Sequence, residues 1–223
     1  MKRRTLDIAF SIGGLLFAAL LLVLGLVLNN QAQFAEDYVS TQLAAQQINF
    51  TPEENLRGEQ EAAGGECLVT YAGQLMTTGK QAECYANQYI AFHMAESATE
   101  AGYEGATYAS LGGPQRELRT ALADATEAGE PTEEIQADLD AVNGLRDTMF
   151  RGETLRGLLL TTYGFSIFGD RAALAATVCF IAAALLAILS IAGLVHAFVT
   201  KKDETVLLVA HDAPVPATEP ATV

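Results

Sequence analysis

The chain has 223 residues, 50% of them hydrophobic, with 27 Asp/Glu against 13 Lys/Arg and a formal net charge of −14. That surface repels nucleic acid, and no basic stripe with interleaved aromatics is present, so nucleic-acid recognition is excluded as a role. The apolar residues gather in two blocks, Ile8 to Leu28 and Ala172 to Val199. Each block exceeds the ~20 residues needed to cross a hydrocarbon core of ~30 Å.

A short basic leader, residues 1–7, opens with Lys2, Arg3 and Arg4. The block at 8–28 follows. It is longer than the ~7–15 residues of a signal-peptide core and exits without an A-x-A cleavage pattern, so it reads as an uncleaved span. Beyond it, Phe34, Tyr38, Val39 and Leu43 recur at helical spacing, which predicts that the helix continues for four or five turns. Thr51, Pro52 and Glu54 then match an N-cap, N1 and N3, predicting a new helix that stops at Gly64-Gly65.

Two short strands around Ala72-Gly73 are expected in "CLVTYAGQLMT", a small β-hairpin. Cys67 and Cys84 are both in the segment assigned to an oxidising compartment, and a disulfide between them would hold that hairpin. Thr78 with Gln81 forms a second capping box opening a helix that runs to Gly102. Along it Tyr85, Tyr89, Phe92 and His93 build an aromatic face, the candidate interaction surface. Pro114 opens a helix with Leu118, Leu122 and Ala125 on one side and Gly129 as its stop. A further helix after "GEP" carries Ile135, Leu139, Val142 and Met149, so the pair reads as an αα-hairpin with acidic outer faces.

Residues 155–170 are apolar and aromatic but too short to cross a bilayer, with Gly157 and Gly164 expected to break a helix. Two placements are open: a foot on the outer leaflet, with Arg156, Leu159, Tyr163, Phe165 and Phe168 in the interfacial layer, or packing into the core of the preceding domain. The foot is the placement taken forward. The block at 172–199 is free of Asp, Glu, Lys and Arg and forms the second span. Residues 200–223 end in a Pro/Ala-rich run and read as a disordered tail.

Lys/Arg flank the near end of the first span and the far end of the second, so both termini are expected in the cytoplasm of a plasma-membrane protein, with residues 29–170 outside. Between Asn29 and Arg171 lie 22 Asp/Glu and 8 Lys/Arg, the whole of the net charge. Gly14, Ala18 and Gly25 share one face of the first span, and Ala176, Ala183 and Ala187 share one face of the second. Such small-residue faces let helices approach closely in lipid.

Chemistry-bearing patterns are sparse. His93 with Tyr89, Glu96 and Glu100 forms at most a weak metal site, because a lone imidazole among carboxylates is ordinarily a solvated face. There is no EF-hand loop, no G-x-S-x-G and no phosphate loop. The expectation is therefore a non-catalytic protein without metal or cofactor.

The stretches "FRGETLRGLLLTTYGFSIFG", "YVSTQLAAQQINF", "YAGQLMTTGKQAECYANQYIAFH" and "TYASLGG" resemble a family of actinobacterial two-span membrane proteins over roughly residues 1–200. The resemblance implies no catalytic residues. In build and size the chain is also similar to accessory subunits of the actinobacterial cytochrome bc–aa3 respiratory supercomplex. The expected architecture is an all-α membrane protein, two transmembrane helices flanking a helical exported domain (29–154). Its expected partners are the lipid bilayer and other integral membrane proteins, and its expected role is docking on a larger complex. A ligand sensor and a homo-oligomeric pore are the alternatives.

Overall fold

The computed structural model describes residues 3–56 and 65–199. The expected tail, Lys201 and Lys202, and most of the helix expected before Gly64 lie outside the described residues. Among the described residues six α-helices follow in chain order: α1 (Arg3–Ala45), α2 (Glu66–Thr70), α3 (Gly79–Cys84), α4 (Ala91–Glu100), α5 (Gly112–Ala128) and α6 (Glu133–Val199). A π-helical segment, Tyr85–Ile90, joins α3 to α4, and a 3-10 turn occupies Glu53–Asn55. The chain divides into two compact units, Met1–Leu28 with Ala175–Val223, and Asn29–Leu174.

In the first unit, parts of α1 and α6 pair antiparallel, and two helices are long and apolar enough to span a membrane. Gly14 faces Ser190 and Leu186; Gly25 faces Cys179 and Phe180; Gly193 faces Ser11. A Cβ on Gly25 would come within 2.7 Å of the Phe180 ring, so only glycine permits this approach. Ala18, Ala176 and Ala183 are buried and Ala187 is half-buried, while Phe10, Leu16, Phe17 and Leu20 face outward.

The second unit has two cores. The larger gathers Val39 and Leu43 of α1, Phe50, Leu68, Met76, Ile90 and Leu159. The smaller joins Ala98, Leu111, Leu145 and Met149. Met94 packs against both. α5 and the start of α6 form the expected antiparallel hairpin. Gly129 ends α5 at φ 72°, a left-handed conformation that glycine adopts without a Cβ clash. Across the hairpin Gln115 donates to Asn143 at 2.6 Å, and Arg146 donates to Gln115 while stacking 4.4 Å over the Tyr108 ring.

Three expectations require correction. No strand forms among the described residues, so the disulfide-held β-hairpin is absent. Glu66–Thr70 is a helical turn instead, closed by Thr70 Oγ1 donating to Glu66 at 2.7 Å. The strand-favouring residues are overridden because Leu68 must reach the larger core, and 74–76 pair with 48–50. There Phe50 N donates to Gln74 O and Met76 N to Ile48 O, both at 2.9 Å. Secondly, among the described residues the capping pattern at Thr51 opens no α-helix: a 3-10 turn at Glu53–Asn55 is followed by an extended Leu56.

Thirdly, Gly157 and Gly164 break nothing: the hairpin arm, the expected foot and the second apolar block are one helix of 67 residues. Each glycine costs a helix about 1 kcal/mol relative to alanine. Burial of Leu159 offsets more than that, at about 1.5–3 kcal/mol for a leucine side chain.

The helical run 79–100 shows a further irregularity with a purpose. Four of its buried residues, Ala82, Ala86, Ile90 and Ala98, with Met94 between them, recur at multiples of four. A regular α-helix turns about 100° per residue, so a line of four-residue steps slips by about 40° each time. The wider i→i+5 closure of Tyr85–Ile90 absorbs that slip and keeps the line on one side.

Candidate interaction site

Cys67 and Cys84 are disulfide-bonded, with Cα atoms 6.0 Å apart, and the bridge ties α2 to the end of α3. The run begins at the expected capping box: Gln81 N donates to Thr78 Oγ1 at 3.2 Å, and Thr78 N donates to Gln81 Oε1 at 3.0 Å. From the bridge a ladder of rings climbs the helix. Tyr85 stacks on Tyr89 at 4.6 Å between centroids, and Tyr89 meets His93 edge-on at 4.5 Å. Phe92 also contacts the His93 ring, at 5.5 Å. The π-helical winding brings i and i+4 side chains nearly into line, which is why the tyrosines stack.

The inner end of this ladder is part of the core. Tyr85 lies edge-on to Phe50 at 5.5 Å, and Phe50 also contacts Tyr71. Burial, and then the neighbouring Tyr89, push the Tyr85 phenol up to about 12. All four residues of the sequence-assigned face are therefore half-buried. His93 Nδ1 sits 3.3 Å from Glu96, three residues on along the same helix.

Residues 155–170 divide by face. Arg156, Leu159 and Tyr163 point into the Asn29–Leu174 unit. Arg156 donates to Asn87 at 3.1 Å, Leu159 is 4% exposed, and Lys80 donates to the Tyr163 hydroxyl at 3.0 Å with its Nζ 4.7 Å from the ring centroid. One face of this stretch thus packs into the unit, and the other carries the exposed Leu158, Phe165 and Phe168.

Sequence reasoning missed an aromatic edge between α1 and α6. Phe34 stacks on Tyr38 at 5.7 Å, and Tyr38 meets Phe165 edge-on at 6.1 Å. Phe34 and Tyr38 are each more than half exposed. The helix seam beneath them is closed by Gly169, where a Cβ would lie 2.8 Å from Ala35 Cβ. The i,i+4 spacing of Phe34 and Tyr38 was the available signal, but nothing in the sequence pairs them with Phe165.

In the helix pair, His196 Nδ1 lies 3.0 Å from Asp7, and the Arg4 guanidinium sits 5.5 Å from the centroid of the Phe198 ring. Among the described residues no three His, Cys, Asp or Glu side chains converge to hold a metal ion.

No family model, curated protein or solved structure matches this chain. The surfaces above, rather than a relative, must carry the functional reading.

Proposed function

We propose that the chain is a two-pass plasma-membrane protein with cytoplasmic termini, whose acidic helical unit works outside the cell membrane as a non-catalytic docking module on a larger membrane complex. One observation carries this reading. Only 17% and 11% of the most apolar windows of α1 and α6 are buried within the molecule. A core helix of a soluble protein is covered by its own chain, whereas these side chains need a lipid or protein environment. The disulfide suits an oxidising compartment. The resemblance to actinobacterial two-span proteins, and the similarity in build to supercomplex accessory subunits, make a respiratory or envelope complex the first host to examine.

The test is affinity purification of the full chain in mild detergent, followed by mass spectrometry. Stoichiometric membrane partners are expected, and recovery as a lone monomer overturns the docking role. A topology reporter placed at Glu130 is expected to read as extracytoplasmic.

A further inference from the structure

A cavity of about 420 Å³ opens within the Asn29–Leu174 unit. Its floor is apolar, built by Ala32, Val39, Gly169 and Ala173. Its rim is not. Glu36 and Ser40 on α1 and Asp170 and Ser166 on α6 line two sides, and Lys80 stands on the third with Thr77 and Thr78. Gly79 keeps the third wall in place, because a Cβ there would collide with the Ser166 side chain. Lys80 is held rather than free to swing, 3.1 Å from Glu83 and 3.0 Å from Tyr163. Glu36 and Asp170 have no cationic partner among the described residues.

The size falls within the range of small-molecule sites. The charge arrangement narrows the ligand. Two carboxylates facing one ammonium suit a zwitterion whose cation meets the acids and whose anion meets Lys80. A bare divalent cation is disfavoured, since Lys80 stands in the same rim and no third ligating side chain converges. A quaternary ammonium is disfavoured too: such groups are held by aromatic cages, and none of the lining residues is aromatic. A primary ammonium, with three N–H donors, matches separate carboxylate and hydroxyl acceptors.

We propose that this cavity takes a primary ammonium tethered to a phosphodiester, the chemistry of an aminophospholipid headgroup, with the ammonium on Glu36 and Asp170 and the phosphate towards Lys80. The lipid source rests on the two-pass reading above. Ala32 follows Leu28, the end of the first apolar block, by four residues, a rise of about 6 Å along a helix, and Ala173 falls in the first turn of the second block. The pocket floor is thus at headgroup depth when those blocks span.

The experiment uses the full chain in mild detergent and native mass spectrometry. Phosphatidylethanolamine, phosphatidylcholine and phosphatidylglycerol of matched acyl chains are added in turn, and soluble O-phosphoethanolamine is added as competitor. Phosphatidylethanolamine is expected to be retained over the other two. Its affinity is expected to fall about tenfold or more in Glu36→Gln/Asp170→Asn, which removes two charge-assisted contacts. Lys80→Gln is expected to weaken it less. Both acids are exposed, so the double variant should keep its circular dichroism and its disulfide.

Retention resistant to O-phosphoethanolamine assigns the membrane as source, and displacement by it assigns a free headgroup. Equal retention of all three lipids, or undiminished binding in the double variant, overturns the proposal. Extraction of the chain by alkaline carbonate would instead sink the two-pass reading, and so is distinguishable from failure of the pocket.

Discussion

The helix pair and the Asn29–Leu174 unit are built partly from the same two helices, yet they bury opposite kinds of residue. In the pair, Ala18, Ala176, Ala183, Ser11 and Ser190 are inside while Phe10 and Leu16 are outside. In the other unit, Val39 and Leu43 of α1 and Leu159 of α6 are inside, and acids such as Glu36 and Asp170 are outside. Where water is the surroundings, burying large apolar side chains is the main stabilising contribution. Where the surroundings are as apolar as leucine, that contribution vanishes, and close backbone approach through small residues takes over. On the proposed two-pass reading, one helix obeys both rules because each acts on a different stretch of it.

The sharpest way to break this contrast is to truncate the same residue type in each region. Phe50 is 2% exposed and anchors the larger core, so Phe50→Ala should cost about 3–5 kcal/mol. Phe10 is 78% exposed, and Phe10→Ala should change stability by less than about 0.5 kcal/mol. Thermal melts of the full chain in detergent, followed by circular dichroism, measure both. Equal effects would mean that the two regions do not differ as described.

Next in size is the disulfide, whose cysteines are 17 residues apart. Reduction, or Cys67→Ser/Cys84→Ser, should cost about 3 kcal/mol, the stabilisation expected for a loop of this length. The loss should appear in the melting of the Asn29–Leu174 unit, while pairing of the two apolar helices persists. A Ser11→Cys/Gly193→Cys variant reports that pairing, since Ser11 and Gly193 face each other. In the background lacking Cys67 and Cys84 its cross-link, broken by reductant, should re-form in full on reoxidation. Gly25→Leu should reduce the cross-link yield severalfold by forcing Phe180 away, with little change in the melting of the other unit.

The smallest effect concerns pH. The Tyr85 phenol has a folded-state pKa raised by burial above the ordinary value of 10.0. Its neutral form is favoured in the folded state, so the associated stability is complete below pH 10 and is lost as pH rises towards about 12. Tyr85→Phe should flatten this alkaline decline in melting temperature. An unchanged slope would show that the phenol is not shielded.

Much of the architecture was legible in the chain because its signals are local. Residue composition marks the two apolar blocks, Thr78 and Gln81 mark a helix start, and Gly129 marks a stop. The failures concern long-range competition. Val69, Thr70 and Tyr71 favour extended backbone locally, but the partner that 74–76 selects lies at 48–50, across a separation no periodicity reveals. Gly157 and Gly164 look like breaks until Leu159, Tyr163 and Arg156 are seen to be anchored by other elements. The rim of the cavity was unreadable for the same reason, since Glu36, Lys80 and Asp170 come from three distant stretches.

The widened turn at Tyr85–Ile90 has a consequence for how this molecule tolerates change. Deleting a single residue there, such as Gln88, would restore ordinary helical winding and keep Ala98 facing Leu111 and Met149, whereas ordinary winding at the present length would swing Ala98 about 100° away from them. In that second case no side chain in either apolar cluster would have been altered, yet the clusters would fall out of phase. Length and winding in those six positions are matched, so the stretch should accept a one-residue deletion that restores ordinary winding more readily than a further insertion.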